Sequence, residues 1–289
     1  MTTRLGDVVS LELLRSCWED VLAGDREDGV LGVGVARFVQ DAPTHLEALS
    51  AQLTAGDYRP GFLARVEMLR EDGTARLLHV PPVRDRVVER ALLTLVTPLV
   101  DPLLGVSAFA YRPGLGVADA VQALARLRDE GLGWVVRADV HDCFPSIPIP
   151  HLCRLISAIV DDGPLLDLIE AFLARASTGP GGVRAVTGLG QGCALSPLWA
   201  NLVLTRLDDR LADAGFPAVR YSDDVAVAAA SSDEAWEAMR VASDAVGELG
   251  MQLGADKSEV MSFVLLTDPS EALLQVSGTM RRVTGSFAA

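Results

Sequence analysis

The segment "RYSDDVAVAA" (residues 220–229) places two adjacent aspartates, Asp223 and Asp224, between two apolar runs. The preceding "AVRY" and the following "VAVAAA" predict two β-strands joined by a tight turn. Two carboxylates fixed in one turn repel each other, so they destabilise the hairpin unless a cation lies nearby. The segment therefore predicts a β-hairpin whose turn is a candidate divalent metal site, with an ordinary solvated turn as the alternative.

The same Asp-Asp pair recurs at residues 161–162 and 208–209, so the pair alone identifies no site. Both of these other pairs lie in polar stretches typical of helices or turns, where solvent-exposed carboxylates are expected. The pair at 223–224 differs because strand-like apolar runs flank it on both sides. This difference makes Asp223 and Asp224 the candidate metal ligands.

The composition bounds the class of protein. The 289-residue chain is 49% hydrophobic, which predicts a packed globular protein of one multi-lobed unit or two small domains. Its longest apolar runs are short and interrupted, so no membrane span is expected. The four cysteines lack C-x-x-C spacing and no secretion signal is recognisable, which together predict a cytoplasmic protein without structural zinc or disulfides.

The charge is strongly acidic overall, with a formal net charge of −14, yet residues 59–90 contain seven arginines against five acidic residues. This basic zone is a candidate polyanion-binding surface, with an ordinary mixed-charge surface as the alternative. Of the 25 basic residues in the chain, Lys257 is the single lysine. A lysine ammonium can release its proton where a guanidinium cannot, so Lys257 is a candidate proton donor.

The order of predicted elements indicates an α+β fold with an antiparallel sheet. Helical spacing covers 11–23 and 44–53, a hairpin with Arg70 and Arg76 covers 63–80, and a glycine-rich loop covers 177–192. The strand "WVVRADVHDCF" places a third carboxylate, Asp139, near its end. If this strand lies beside the acidic hairpin, the three carboxylates meet at one edge of the sheet.

Three carboxylates at one edge suit phosphoryl transfer with two Mg²⁺ ions, which activate the attacking hydroxyl and hold the triphosphate. Arg70 and Arg76 could bind that triphosphate from a separate hairpin. The alternatives are a structural role for Asp139 as a turn residue at the strand end and a surface ladder of ion pairs for the two arginines.

Five stretches, in order, resemble the motifs of reverse transcriptases, most closely those of the group II intron type and its CRISPR-associated relatives. The resemblance covers about residues 18–263, and its stretches are "VPPVRDRVVERAL", "SAFAYRPGLGVADAV", "WVVRADVHDCFPSI", "GLGQGCALSPLWANLVLTRLD" and "RYSDDVAV". It implies a right-hand polymerase with fingers and an antiparallel palm sheet.

The resemblance also implies roles for single residues. Asp139, Asp223 and Asp224 match the catalytic acids that hold two Mg²⁺ ions, which Mn²⁺ can replace, and Lys257 matches the lysine that protonates pyrophosphate. The residues that match nucleotide-binding positions are Tyr221 of the Y-x-D-D box, the aromatic steric gate Phe144, Gln191 and Gly192 of the Q-G loop, and the basic pair Arg70 and Arg76.

Three positions depart from the family pattern. Met68-Leu69-Arg70 stands where isoleucine-proline-lysine is usual, so the expected contacts with the triphosphate are altered. Gly190 replaces the proline before Gln191, and Cys143 replaces a common aromatic residue beside the steric gate. None of these changes removes a metal ligand.

The implied domains are fingers and N-terminal helices over 1–135, a palm over 136–265 with a fingers insertion near 150–195, and a short tail over 266–289. Only 26 residues follow Phe263, and a thumb of three helices of about 11–12 residues needs more. An absent or incomplete thumb is therefore expected. A protein partner or further C-terminal domain, for example a CRISPR adaptation integrase, is then expected to supply thumb function.

The implied function is an RNA-directed DNA polymerase that adds dNTPs to a DNA primer on an RNA template, with CRISPR spacer acquisition as one role. One alternative is a reverse-transcriptase-like binding subunit of a defence complex. Another alternative is a template-independent nucleotide transferase.

Overall fold

The computed structural model describes residues 4–263 except 28, 30, 70–72 and 74, together with residue 272. Within this part the chain is mixed α+β with two four-stranded sheets, so the predicted α+β class is confirmed. No described helix is long and apolar enough to cross a membrane. The predicted tail over 266–289 lies outside the described residues, apart from residue 272.

The elements follow one another in the order helices, hairpin, helices, strand, helices, hairpin, helix, hairpin, helix and strand. The helices are α1 (Leu5–Val8), α2 (Leu11–Glu27), α3 (Val33–Gln40), α4 (Ala42–Ala55), α5 (Val83–Val100), α6 (Val117–Asp129), α7 (Cys143–Ser146), α8 (Ile149–Ile159), α9 (Gly163–Leu173), α10 (Ser196–Asp213) and α11 (Ser232–Glu248). The strands are β1 (Leu63–Leu69), β2 (Ala75–Val80), β3 (Trp134–Asp139), β4 (Ala176–Gly179), β5 (Gly182–Ala185), β6 (Ala218–Tyr221), β7 (Asp224–Ala229) and β8 (Glu259–Ser262).

The chain divides into two compact units. The first contains Met1–Val100 and Ile149–Trp199, and the second contains Asp101–Pro148 and Ala200–Ala289. The second segment of the first unit, Ile149–Trp199, overlaps the fingers insertion that the sequence predicts near 150–195. Residues 101–135 belong to the second unit, in which α6 packs on strands β6 and β7. The assignment of residues 1–135 mainly to fingers and N-terminal helices stays a prediction.

The first unit contains a sheet in the order β2-β1-β4-β5. Its β1–β2 hairpin is antiparallel, and β4 joins β1 in parallel. The glycine-rich loop predicted over 177–192 is in part the β4–β5 hairpin, which turns at Pro180-Gly181. Proline supplies the first turn position and Gly181, with φ of 82°, supplies the positive φ of the second.

The second unit contains the antiparallel sheet β6-β7-β3-β8. All six residues of β7 are buried, because helices α6 and α11 both pack on this strand. Buried alanines on α11 repeat at helical spacing (235, 238, 242 and 245) and give this helix a smooth face against the sheet. Strand β7 is thus buried on both faces, and this rigid strand fixes the position of the acidic turn.

Candidate active site

The acidic hairpin closes with a two-residue turn. Tyr221 of β6 pairs with Asp224 of β7, so Ser222 and Asp223 form the turn and Asp224 is the first strand residue. Ser222 has φ of 65°, a conformation uncommon outside glycine and typical of tight hairpin turns. The two aspartates therefore occupy different positions, one in the turn and one on the strand.

Asp139 ends β3 directly opposite Asp224 of β7. Residues opposite each other in an antiparallel pair project from the same face, with Cβ atoms about 4.5–5.5 Å apart. The backbone N–H of Val140 donates to the Asp223 carbonyl at 3.1 Å, which ties the turn to the end of β3. The structure thus places the three predicted acids at one edge of one sheet.

Lys257 lies at this edge and pairs with Asp139. Its Nζ is 2.7 Å from Asp139 Oδ2. This hydrogen bond, and next the charges of Asp139, Asp223 and Asp224, raise the pKa of Lys257, so the side chain is firmly protonated at neutral pH. The other carboxylate oxygen, Asp139 Oδ1, is buried without a hydrogen-bond partner among the described residues.

A buried arginine holds the acidic turn in place. Arg220 has no exposed surface, and its guanidinium donates to both carboxylate oxygens of Asp208, to Asn201 Oδ1 and to the Ser222 carbonyl at 2.8 Å. The prediction that Asp208 is solvent-exposed is wrong, because this carboxylate neutralises Arg220 inside the unit. The sequence does carry a signal, since Asn201 and Asp208 are two helical turns apart on one face of α10.

Phe144 and Cys143 follow the catalytic strand on the short helix α7. Both side chains are buried, and Asp142 before them has φ of 43°. Burial, and then the nearby charge of Asp223, raise the pKa of the Cys143 thiol, so this cysteine is not a reactive thiolate. The helix thus places the predicted steric gate just beyond the end of β3.

In the first unit, the structure brings three predicted residues together. Arg76 Nε donates to Gln191 Oε1 at 2.8 Å, and the His79 N–H donates to the Gln191 carbonyl at 2.6 Å. Gly192 has φ of 106°, and a Cβ there would lie 2.9 Å from the His79 carbonyl oxygen, so glycine is required. Arg70 lies outside the described residues.

A second buried ionic cluster, which the sequence did not indicate, supports the loop that contains Gln191. Arg175 pairs with Glu89, whose second carboxylate oxygen accepts from the Ala194 N–H at 2.9 Å. Burial raises the pKa of Glu89, and the charge of Arg175 opposes this effect. Because Glu89 and Arg175 are 86 positions apart, no local sequence pattern predicts this ion pair.

The basic zone at 59–90 is used mainly inside the first unit. Each of its six described arginines makes a hydrogen bond or an ion pair within the chain: 59, 65, 76, 84, 86 and 90. Arg65, for example, crosses the sheet to the carbonyls of Pro180 and Gly182. These contacts favour the mixed-charge surface over a continuous polyanion groove.

The acids suit a hard divalent cation, because Mg²⁺ and Mn²⁺ prefer carboxylate oxygens and Asp139 Oδ1 is a buried acceptor without a donor in the described part of the chain. Among the described residues, no three His, Cys, Asp or Glu side chains are gathered as a metal-binding group. The ammonium of Lys257 instead neutralises Asp139.

The sequence from residue 68 to residue 282 matches the family described as "Reverse transcriptase (RNA-dependent DNA polymerase)". The chain belongs to this family. The resemblance seen in its five motifs is thereby confirmed. Reverse transcriptases are RNA-directed DNA polymerases that generally use divalent metal ions, which agrees with the donor chemistry of the acidic edge.

Curated relatives of this reverse transcriptase cover similar parts of the chain. Protein YkfC of Escherichia coli (strain K12) is 27% identical over 193 residues, 65% of this chain and 51% of that protein. Retron Mx65 reverse transcriptase of Myxococcus xanthus is 26% identical over 206 residues, 66% and 46% of the two chains. Group II intron-encoded protein LtrA of Lactococcus lactis subsp. cremoris is 26% identical over 165 residues, 56% and 27%. The chain spans about half or less of the length of these relatives.

Solved structures share the fold of this reverse transcriptase. Telomerase from Candida albicans, in complex with the TWJ fragment of telomeric RNA, aligns with a TM-score of 0.59 at 11% identity, over 74% of this chain and 43% of that one. A partial Cas6-RT-Cas1–Cas2 complex aligns with a TM-score of 0.50 at 22% identity, over 83% and 40%. At such identities the similarity shows a common fold.

Proposed function

We propose that this chain is the polymerase part of an RNA-directed DNA polymerase, in which the first unit forms fingers and the second the palm. It adds dNTPs to a primer 3′-hydroxyl on an RNA template with two Mg²⁺ ions, which Mn²⁺ can replace. The observation that supports this most directly is the pairing of Asp139 with Asp224, beside the Asp223 turn and the single lysine of the chain.

The acidic edge would hold the cations through the carboxylate oxygens of Asp139, Asp223 and Asp224. Bound there, the ions supply Lewis-acid activation of the primer hydroxyl and neutralise charge on the triphosphate. Arg220 keeps the turn at one position, since it binds the Ser222 carbonyl from inside the unit. Lys257, which is protonated at neutral pH, gives its proton to the departing pyrophosphate.

The remaining residues are proposed to select and orient the nucleotide. Phe144 blocks the space that a ribose 2′-hydroxyl would need, and Tyr221, which pairs with Asp224 on the palm hairpin, contributes to nucleotide binding. On the fingers, Arg76 and Arg70 bind phosphate oxygens through charge-assisted hydrogen bonds. Gln191 and Gly192 present a fixed loop to the nucleotide and template, because the His79 backbone and Arg76 hold that loop.

Primer extension tests the assignment. The wild-type chain should extend a DNA primer on an RNA template with Mg²⁺, and Asp223→Asn should abolish extension because a charged ligand is lost. Activity retained in Asp223→Asn would overturn the assignment. Extension without template would instead indicate the nucleotide transferase. Template-primer binding without extension would indicate the binding subunit.

The same assay tests the sugar gate. Phe144→Ala should lower the dNTP/rNTP ratio of kcat/KM, because the substitution opens the space beside the sugar. An unchanged ratio would show that Phe144 is not the gate.

A partner is part of the proposal. Nucleic-acid affinity comes largely from phosphate contacts, and this chain has a net charge of −14 and a basic zone committed to internal pairs. We infer that a basic protein partner or a further domain supplies thumb function and most phosphate contacts. The segment "AYRPGLGVADAV" favours a CRISPR adaptation integrase as that partner, and hence spacer acquisition from RNA.

Binding measurements test the partner. The chain alone should bind template-primer weakly, with a Kd that rises steeply between two salt concentrations. Tight, salt-tolerant binding by the 289-residue chain would show that it needs no partner. A cytoplasmic location completes the proposal, because all four cysteines are unpaired thiols, as expected in a reducing compartment.

A further inference from the structure

The loop after α11 contacts Asp139 at the end of β3. Gly254 donates its N–H to the Asp139 carbonyl oxygen at 2.8 Å, and its own carbonyl accepts from the Lys257 N–H at 3.1 Å and from the Ser258 hydroxyl at 2.7 Å. The loop that contains Lys257 is therefore fixed directly against Asp139.

Gly254 leaves room for the carboxylate of Asp139. A Cβ at residue 254 would lie 2.3 Å from Asp139 Oδ1 and 3.3 Å from Asp139 Cγ, far inside van der Waals contact. The φ of Gly254 is not in the positive range, so the backbone itself accepts alanine there. Glycine at position 254 therefore allows the Asp139 carboxylate to lie where it does.

In this position Asp139 is committed to Lys257. Its Oδ2 accepts from the ammonium, while its Oδ1 is buried above Gly254 without a donor among the described residues. Asp224 stands directly opposite on β7, where two like charges destabilise the pair. The ammonium of Lys257 offsets this repulsion in the conformation described.

We propose that Gly254 is a positioning residue that allows the Asp139 carboxylate to take two alternative positions. In one it lies beside Lys257, and in the other it binds a divalent cation together with Asp224. The inference rests on the proposed function. The position beside Lys257 places Oδ1 against Gly254, so a carboxylate that moved toward a cation would leave the ammonium, and Lys257 would be released. The lysine is then available to the leaving group only when the acidic edge is loaded.

The test is Mn²⁺ affinity of the full chain without nucleic acid, measured by the electron paramagnetic resonance signal of free Mn²⁺. Gly254→Ala removes the place beside Lys257. If the cation-ready position is a minor state of the usual 0.1–10%, the Mn²⁺ Kd should fall about tenfold or more. Damage to the fold would weaken binding, so the direction of the change separates positioning from a structural role.

Two further variants complete the test. Lys257→Met removes the competing ammonium, and since exposed ion pairs are weak, the Kd should fall only about two- to fivefold. Gly247→Ala on α11 is the matched control, because a Cβ there meets no atom within 4 Å, and its Kd should equal that of the wild type. If Gly254→Ala does not fold, Lys257→Met decides the outcome.

The failures are distinguishable. Wild-type Mn²⁺ binding with an unchanged Kd in both Gly254→Ala and Lys257→Met would overturn the exchange and leave the polymerase assignment intact. No Mn²⁺ binding by any variant, together with no primer extension, would overturn both.

Discussion

The two sheets of the molecule differ in how far their side chains are buried. In the second unit, every residue of β7 is buried, and Asp224 is the first residue of this enclosed strand, opposite Asp139 of β3. In the first unit, β1 is exposed from Val66 to Leu69, and all of β5 is exposed. The acids are thus fixed by a core, whereas β1 and β5 have many exposed side chains. Substitutions should therefore affect the two sheets by different amounts.

The largest expected difference concerns chemistry. Lys257→Ala at the acidic edge should slow the chemical step by about 10²–10⁴-fold, the usual contribution of a general acid. Arg76→Ala on the open hairpin would remove the proposed charge-assisted hydrogen bond to the triphosphate. It should therefore lower kcat/KM by about 10- to 100-fold. Single-turnover rates and kcat/KM measure the two effects. Full activity of Lys257→Arg would show that only the charge matters at this position.

The next difference concerns buried and exposed arginines. Arg220→Met leaves Asp208 as an uncompensated buried charge and should cost about 3–5 kcal/mol of unfolding free energy. Arg65→Met in the first unit removes partly exposed hydrogen bonds and should cost about 1 kcal/mol or less. Urea denaturation followed by circular dichroism measures both. Equal costs would contradict the contrast between the sheets.

The smallest difference uses one substitution at two places. Val227→Ala, on fully buried β7, loses two buried methyl groups and should cost about 2 kcal/mol. Val66→Ala, on a residue 45% exposed, should change stability by about 0.5 kcal/mol or less. The same urea experiment compares them. A larger cost at Val66 would mean that an unrecognised partner covers the open hairpin.

The position of the acidic turn was predictable because its signal is local. Polar pairs that interrupt strand-like apolar runs stand out in the sequence, and the pairing of β3 with β7 then places Asp139 opposite Asp224. Asp208 was misjudged because its partner Arg220 lies on the next strand, so local polarity suggested solvent. The boundary between the two compact units at residue 100 likewise depends on how α6 packs, which no local pattern shows.

The complete burial of β7 also determines how its backbone amides exchange with solvent deuterium. A central strand covered by two helices releases its protons chiefly through global opening, whereas an exposed hairpin exchanges through local fraying. A bound ligand will therefore slow exchange mainly on the β1–β2 hairpin. Exchange on β7 will stay unchanged, and its rate reports the stability of the second unit.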